Sequence, residues 1–264
     1  MAAPKVVPSL TVYRGFPARG CYTPSPFVNK LETRLRIGGL SYRVEMGSVP
    51  KAPRGKIPYV DVETSDPSKP EQLSDSTFIT RRFVEDGHLA DLNAALMPAE
   101  RARDLGVRAL FEDRLCFYQG RERWIDNYYA MRDNVLGFMP FLVRFVVGLL
   151  AYRSHKRTLQ GHGVLRYTDD EFDALRREVW DSLNAMLVES RGRAHEAGRA
   201  GPFWVLGGAA PTEADATVFG FITASLDCKQ APASEKIVRG LPVVMDYAGR
   251  IHDRYFADYK RWSE

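Results

Sequence analysis

Three short segments stand where a helix or strand begins, and two of them, Thr23 to Phe27 and Asp75-Ser76, place polar side chains there. Thr23-Pro24-Ser25-Pro26-Phe27 joins an apolar strand to an amphipathic helix. A hydroxyl there sits at a helix N-terminus, where free backbone N–H groups and the positive end of the macrodipole favour an anion such as a thiolate. Ile57-Pro58 opens a strand after a loop, the kind of place where a cis X-Pro bond is kept. Asp75-Ser76 opens a further helix. Each has a plainer alternative. Ser25 and Asp75-Ser76 also read as simple helix caps, Pro58 as an ordinary trans proline, and Lys56 as solvated charge.

The elements that must position these residues are legible in outline. Leu10 to Tyr13 reads as a strand, and Phe27, Val28, Leu31 and Leu35 fall at helical spacing until Gly38-Gly39. Tyr42 to Met46 alternates as a second strand. A Pro/Gly-rich loop (Val49 to Gly55) precedes a third strand, Ile57 to Val62, and Thr64 to Pro70 reads as a turn, with room for a further strand before Ser74-Asp75-Ser76. The order is that of a small α/β sheet domain. Beyond about residue 91 the pattern is helical. Arg101 to Tyr129 forms one long run, Thr168 to Glu171 is a capping box, Thr212 and Asp215 cap another helix, and a last helix runs from about Pro242 to Tyr255. The fold class is therefore α/β followed by all-α.

Bulk properties narrow the function. The chain has 264 residues, 45% hydrophobic and 27% charged, with a formal net charge of +4 and interspersed signs, so no nucleic-acid footprint is present. Cys21, Cys116 and Cys228 are too far apart for a disulfide framework or zinc knuckle, and no histidines show metal-ligand spacing. Their odd number suits a reducing, cytoplasmic setting. Met1 to Leu10 lacks a signal-peptide pattern. Val135 to Tyr152 is apolar for 18 residues, but Pro140 and Arg144 interrupt it. It is expected to be a buried or groove-covering helix, with membrane-surface contact the minority reading.

Taken together, Ser25-Pro26-Phe27, Ile57-Pro58, Asp75-Ser76 and the run PTEADATVFGFI (Pro211 to Ile222) resemble the glutathione S-transferase family. The resemblance spans residues 9 to 258. The same run, the stretch Gly161 to Thr168 and the ending Ile251 to Asp258 look most like the failed-axon-connections and metaxin-type branch, which includes fungal glutathione transferases of secondary metabolism. The resemblance implies a thioredoxin-like glutathione-binding domain over 9–90 and an α-helical substrate-binding domain over 97–258.

It also implies roles. Ser25 would stabilise the glutathione thiolate. Ile57, held by cis-Pro58, would present its backbone to the cysteinyl part like an added strand. Ser76 and its helix start would bind the γ-glutamyl carboxylate, and Asp75 the γ-glutamyl amino group. Lys56 would pair with the glycine carboxylate, and Lys51 is a second cation. Tyr13, Tyr22, Tyr118, Trp124 and Tyr128 are candidate walls for an apolar electrophile, with core packing the alternative for each. Cys21 is an alternative working thiol, and His162 a loop candidate. The implied enzyme conjugates the thiolate to an electrophile or isomerises an activated double bond. The apolar Leu136 to Leu150 stretch suggests a bulky, greasy substrate. A homodimer is the family expectation. The rival is a non-catalytic, metaxin-like interaction protein. The Asp-Ser pair and the lack of an anchor after Trp262 weigh against it.

Overall fold

A computed structural model describes residues 9–63 and 70–262. The turn expected over Thr64 to Pro70 lies, apart from Pro70, outside the described residues.

The first domain is a four-stranded sheet in the order β2-β1-β3-β4, built from β1 (Leu10–Tyr13), β2 (Arg43–Glu45), β3 (Tyr59–Val62) and β4 (Glu71–Ser74). β1 and β2 run parallel and are joined through α1 (Pro26–Ile37); β3 and β4 are antiparallel neighbours. Alternation decides the faces. Leu10, Val12, Val60 and Val62 bury against Leu31 and Leu35 of α1 and Ile79 and Phe83 of α2 (Ser76–Glu85). α1 begins at a proline, whose fixed φ suits a first helical position, and ends at Gly38. The third strand is two residues shorter than its apolar pattern, because Ile57 and Pro58 belong to the approach and not to the ladder. The loop before it contains one 3-10 turn, Val49–Lys51.

The rest is helical. The expected long run extends from Pro98 to Leu136 in pieces: α3 (Pro98–Ala109), a π-helical stretch (Leu110–Leu115), α4 (Cys116–Arg121), a second π-helical stretch (Glu122–Asp126) and α5 (Tyr128–Leu136). Then follow α6 (Phe141–His162), α7 (Asp169–Glu196), α8 (Glu213–Asp227), α9 (Pro232–Arg239) and α10 (Pro242–Tyr255). Both predicted capping boxes form, at Thr168/Glu171 and Thr212/Asp215. Asp215 is wholly buried and also accepts from Val205 N–H at 2.8 Å and Tyr247 hydroxyl at 2.9 Å. Burial pushes its carboxyl up to about 6 despite these donors.

α8 is the central helix, and α1 lies along it. Gly220 makes the approach possible: a Cβ there would stand 2.6 Å from the Pro26 carbonyl oxygen and 2.7 Å from the Lys30 nitrogen. Polar ties flank that contact. Arg34 Nε donates to Glu213 at 2.7 Å, and Lys30 Nζ pairs with Glu112 at 2.7 Å. The helix that starts at Ser25 is thus fixed to the second domain along its length.

The apolar stretch Val135 to Tyr152 is not buried as expected. Phe138, Phe141, Leu142, Phe145, Val146 and Leu150 are all exposed, several by more than half. α6 packs on α5, α4, the second π-helical stretch and the 3-10 turn Val164–Arg166 along one side, and its other side is left uncovered. Its inner face carries Arg144, Gly148, Ala151 and His155. Gly148 sits so close to α5 that a Cβ would fall 2.7 Å from Arg132 Cδ.

Candidate active site

The register brings the three sequence motifs to one end of the strands. Tyr13 pairs with Tyr59, and Tyr59 with Ser74. The exit of β1, the entry of β3 and the exit of β4 are therefore neighbours, roughly 10 Å across at about 4.8 Å per strand. These points lead respectively to the 14–25 loop, from Ile57-Pro58, and to Asp75-Ser76. The Ile57-Pro58 bond is cis. Lys30 Nζ donates to Thr77 Oγ1 at 2.9 Å, which ties the second turn of α1 to the first turn of α2.

Ser25 occupies the N-cap of α1 in an extended conformation (φ −87°, ψ 111°), yet its hydroxyl makes no capping bond. The loop that carries it is held by side chains from α1 and from the second domain. Asn29, buried one turn on, accepts from the Thr23 N–H at 3.0 Å, donates to the Thr23 carbonyl at 2.9 Å, and reaches Thr223 of α8 at 3.1 Å. The Ser25 N–H donates to Thr23 Oγ1 at 3.3 Å. Arg123, in the second π-helical stretch, donates to the Pro24 carbonyl at 2.7 Å and the Ala224 carbonyl at 3.2 Å. Its buried Nε has no partner among the described residues. Further back, Arg14 anchors the loop by donating to the Ala18 carbonyl at 2.8 Å while paired with Glu32 at 3.0 Å. Burial pushes Glu32 up to about 7, against the pull of Arg14.

Asp75 is the described non-glycine residue with positive φ, at 74°. That conformation strains a side-chain-bearing residue by about 1–2 kcal/mol and commonly marks a functional position. Its Oδ1 accepts from the N–H groups of Thr77 at 3.0 Å and Phe78 at 3.3 Å, so it does cap α2. The carboxylate is exposed, and Oδ2 takes no bond from the described residues. Ser76 is the first residue of α2 and is buried. Ile57 is half-buried, its side chain lying over Gly15, which has φ +76°. Lys51 and Lys56 are exposed, without ion pairs among the described residues.

The second domain contributes a cation that the sequence did not announce, Arg123 at the Pro24 carbonyl. Burial pushes the Cys116 thiol up to about 11, while Arg123 and Lys56 act on it in the opposite sense. Arg123 and Asn29 carry no motif, since nothing in a helical pattern says which polar residue turns toward another element's loop.

The five aromatic candidates do not converge. Tyr13 stacks on Tyr59 at 4.4 Å and donates to Asp61 at 2.8 Å on the face of the sheet away from α1; burial and Asp61 push its hydroxyl up to about 12. Tyr22 is core, its hydroxyl 2.7 Å from His252 Nδ1 and its ring among Phe219, Phe256 and Trp262. Tyr118 is buried against Phe172 and accepts from Arg114 at 2.9 Å. Trp124 stacks on His155 at 4.3 Å, and Tyr128 packs on Tyr152. Burial raises the Cys21 thiol, so its thiol form is favoured. His162 stacks on Phe117 and bonds the Asp113 carbonyl at 3.1 Å. It lines a depression of 440 Å³ with Tyr118 and Tyr167; a second, of 510 Å³, lies by Arg36 and Tyr42. Neither touches Ser25, Ile57 or Ser76. No group of side chains suited to a metal ion occurs among the described residues.

A family profile described as the glutathione S-transferase N-terminal domain matches residues 26–131, beginning one residue past Ser25. Among solved structures, the chain is similar to a glutathione transferase, GSTFuA3, from Phanerochaete chrysosporium (TM-score 0.56, 14% identity, 98% of this chain and 100% of that one). It is similar to the beta-etherase LigF from Sphingobium sp. strain SYK-6 (TM-score 0.56, 14% identity, 94% and 96%). It is also similar to FzlA from C. crescentus (TM-score 0.54, 13% identity, 94% and 89%). The fold is that of the glutathione transferases: a thioredoxin-like N-terminal domain and an α-helical C-terminal domain.

Proposed function

We propose that the chain binds glutathione at the Tyr13, Tyr59 and Ser74 ends of the strands and activates its thiolate with Ser25. The observation that carries this is the Ser25 hydroxyl. It stands open at a helix N-terminus while the loop that carries it is held. The Ile57 backbone would align the cysteinyl part, with cis-Pro58 setting its direction. Ser76 and the first N–H groups of α2 would take the γ-glutamyl carboxylate, and Asp75 Oδ2 the γ-glutamyl ammonium. Lys56, with Lys51 as a second cation, would meet the glycine carboxylate. A free thiol has pKa ~8.5. A hydroxyl donor, the α1 dipole and the Arg123 guanidinium all favour the charged form and lower that value.

The thiolate then attacks an apolar electrophile held between the two domains. Loss of a leaving group gives a conjugate. Addition to an activated double bond, rotation and elimination give a cis–trans isomer with glutathione returned. Both begin with the same attack. We assign the glutathione domain to 9–90, the substrate domain to 97–258, the setting to the cytoplasm and the assembly to a homodimer. On the resemblance of Pro211 to Ile222 and Ile251 to Asp258, we place the chain in the failed-axon-connections and metaxin-type branch, with a role in secondary metabolism. The LigF and FzlA likenesses carry the shared fold and leave the reaction to experiment.

Ultraviolet titration of bound glutathione tests the activation step. The thiolate absorbance should titrate at least one pH unit below free glutathione in the native protein, and measurably closer to it in Ser25→Ala, where the dipole and Arg123 remain. Equal titration in both proteins would remove Ser25 from the mechanism.

A further inference from the structure

The outer face of α6 presents an apolar surface that ends in a basic one. Leu142, Phe145, Val146, Leu149 and Leu150 repeat at three- and four-residue spacing, and the same face continues into Arg153, Lys156 and Arg157. Leu142 is 75% exposed, Phe141 65% and Phe138, at the hairpin tip, 63%. Monomeric surfaces rarely leave so many large apolar side chains contiguous unless they meet something.

Charge identifies what they meet. From Asn134 to Thr168 the chain holds five basic residues and no acidic one. The one arginine within the apolar half, Arg144, turns to the inner side, near Asp133 at 3.7 Å. A second copy of this chain docking through a two-fold axis would offer no counter-charge from this segment. No helix among the described residues is long and apolar enough to cross a membrane. The apolar half, from Phe141 to Leu150, is about 14 Å long at 1.5 Å per residue. An apolar helix face with a cationic collar and no capacity to span has the form of an interfacial anchor.

We propose that the α5–α6 hairpin seats the protein on an anionic lipid surface. The apolar half of α6 enters the headgroup–acyl boundary, and Arg153, Lys156 and Arg157 lie at the level of the lipid phosphates and carboxylates. The close contact at Gly148 holds the two arms together, so the face is presented ready-formed. This inference does not depend on glutathione chemistry.

Co-sedimentation with vesicles tests it. The native protein should pellet with phosphatidylcholine vesicles containing phosphatidylserine, and far less with phosphatidylcholine alone. Leu142→Ser/Phe145→Ser should lower the partition coefficient about tenfold or more, as should Arg153→Glu/Lys156→Glu/Arg157→Glu. All these side chains are exposed, so the variants should keep the native circular dichroism and melting temperature. Native protein that stays in the supernatant, variants that bind like native, or equal binding to neutral vesicles would each overturn the assignment. So would a dimer, measured by light scattering, that Leu142→Ser/Phe145→Ser converts to monomer, since the face would then belong to a second copy.

Discussion

Ser25 differs from an ordinary helix cap because its hydroxyl is left open while its neighbours are held. A cap of that residue type normally accepts from the second or third N–H of its helix. Here Asn29 fixes Thr23, and Arg123 fixes Pro24, so the hydroxyl is aimed without being occupied. Arg123→Met should raise the pKa of bound glutathione's thiol, because the nearest cation is removed. It should also lower stability by about 1–3 kcal/mol, since the Pro24 carbonyl loses its donor; thiol titration and urea melts separate the two effects. Ser25, Ile57-Pro58 and Asp75-Ser76 were legible as types and spacing. Arg123 and Asn29 were not, because each bonds across an interdomain contact that leaves no local pattern. The aromatic candidates show the same limit from the other side: nothing in the sequence says that Tyr13 lies on the sheet face away from α1 while Tyr22 packs among Phe219, Phe256 and Trp262.

At the scale of elements, α1 is positioned by α8 as much as by its own sheet. Gly220 has no room for a Cβ against the backbone of Pro26 and Lys30. Gly220→Ala should destabilise the protein by about 1–3 kcal/mol and weaken glutathione binding, because separating the helices moves the start of α1. Thermal melts and calorimetry read the two effects. α6 is positioned differently, by His155 stacked on Trp124. Burial lowers the pKa of this histidine from 6.5 to about 4. Between those values the unfolded chain takes up a proton that the folded one refuses, so this group's contribution to stability is lost as pH falls. The loss is on the order of 1–3 kcal/mol when fully developed. Buried Glu32 and Asp215 titrate with the opposite sign, so the comparison must be with a variant. His155→Phe should lose less melting temperature than native between about pH 7 and pH 5. Strands and caps were readable because alternation, Pro and Gly are local signals. The exposure of α6 was not, since an apolar run states what a helix avoids and not whether the fold covers it.

For the whole molecule, two surfaces have separate physical origins. The ends of β1, β3 and β4 and the start of α1 bring three turns together, where we propose that a peptide thiol binds. The α5–α6 hairpin makes an apolar, basic face on the helical domain. The fold was legible because its motifs follow one another in a fixed order, each near a turn or cap. The pocket for the second substrate was not, because its shape depends on how α4 and the π-helical stretches pack against the first domain. The central claim is that glutathione binds at those ends of β1, β3 and β4. Calorimetry with glutathione should give binding in the millimolar range or tighter for the native protein. Ser76→Ala, which removes the buried hydroxyl at the start of α2, should weaken it about tenfold, or 1.4 kcal/mol. Absence of heat from the native protein at millimolar glutathione, or identical affinity in Ser76→Ala, would contradict it.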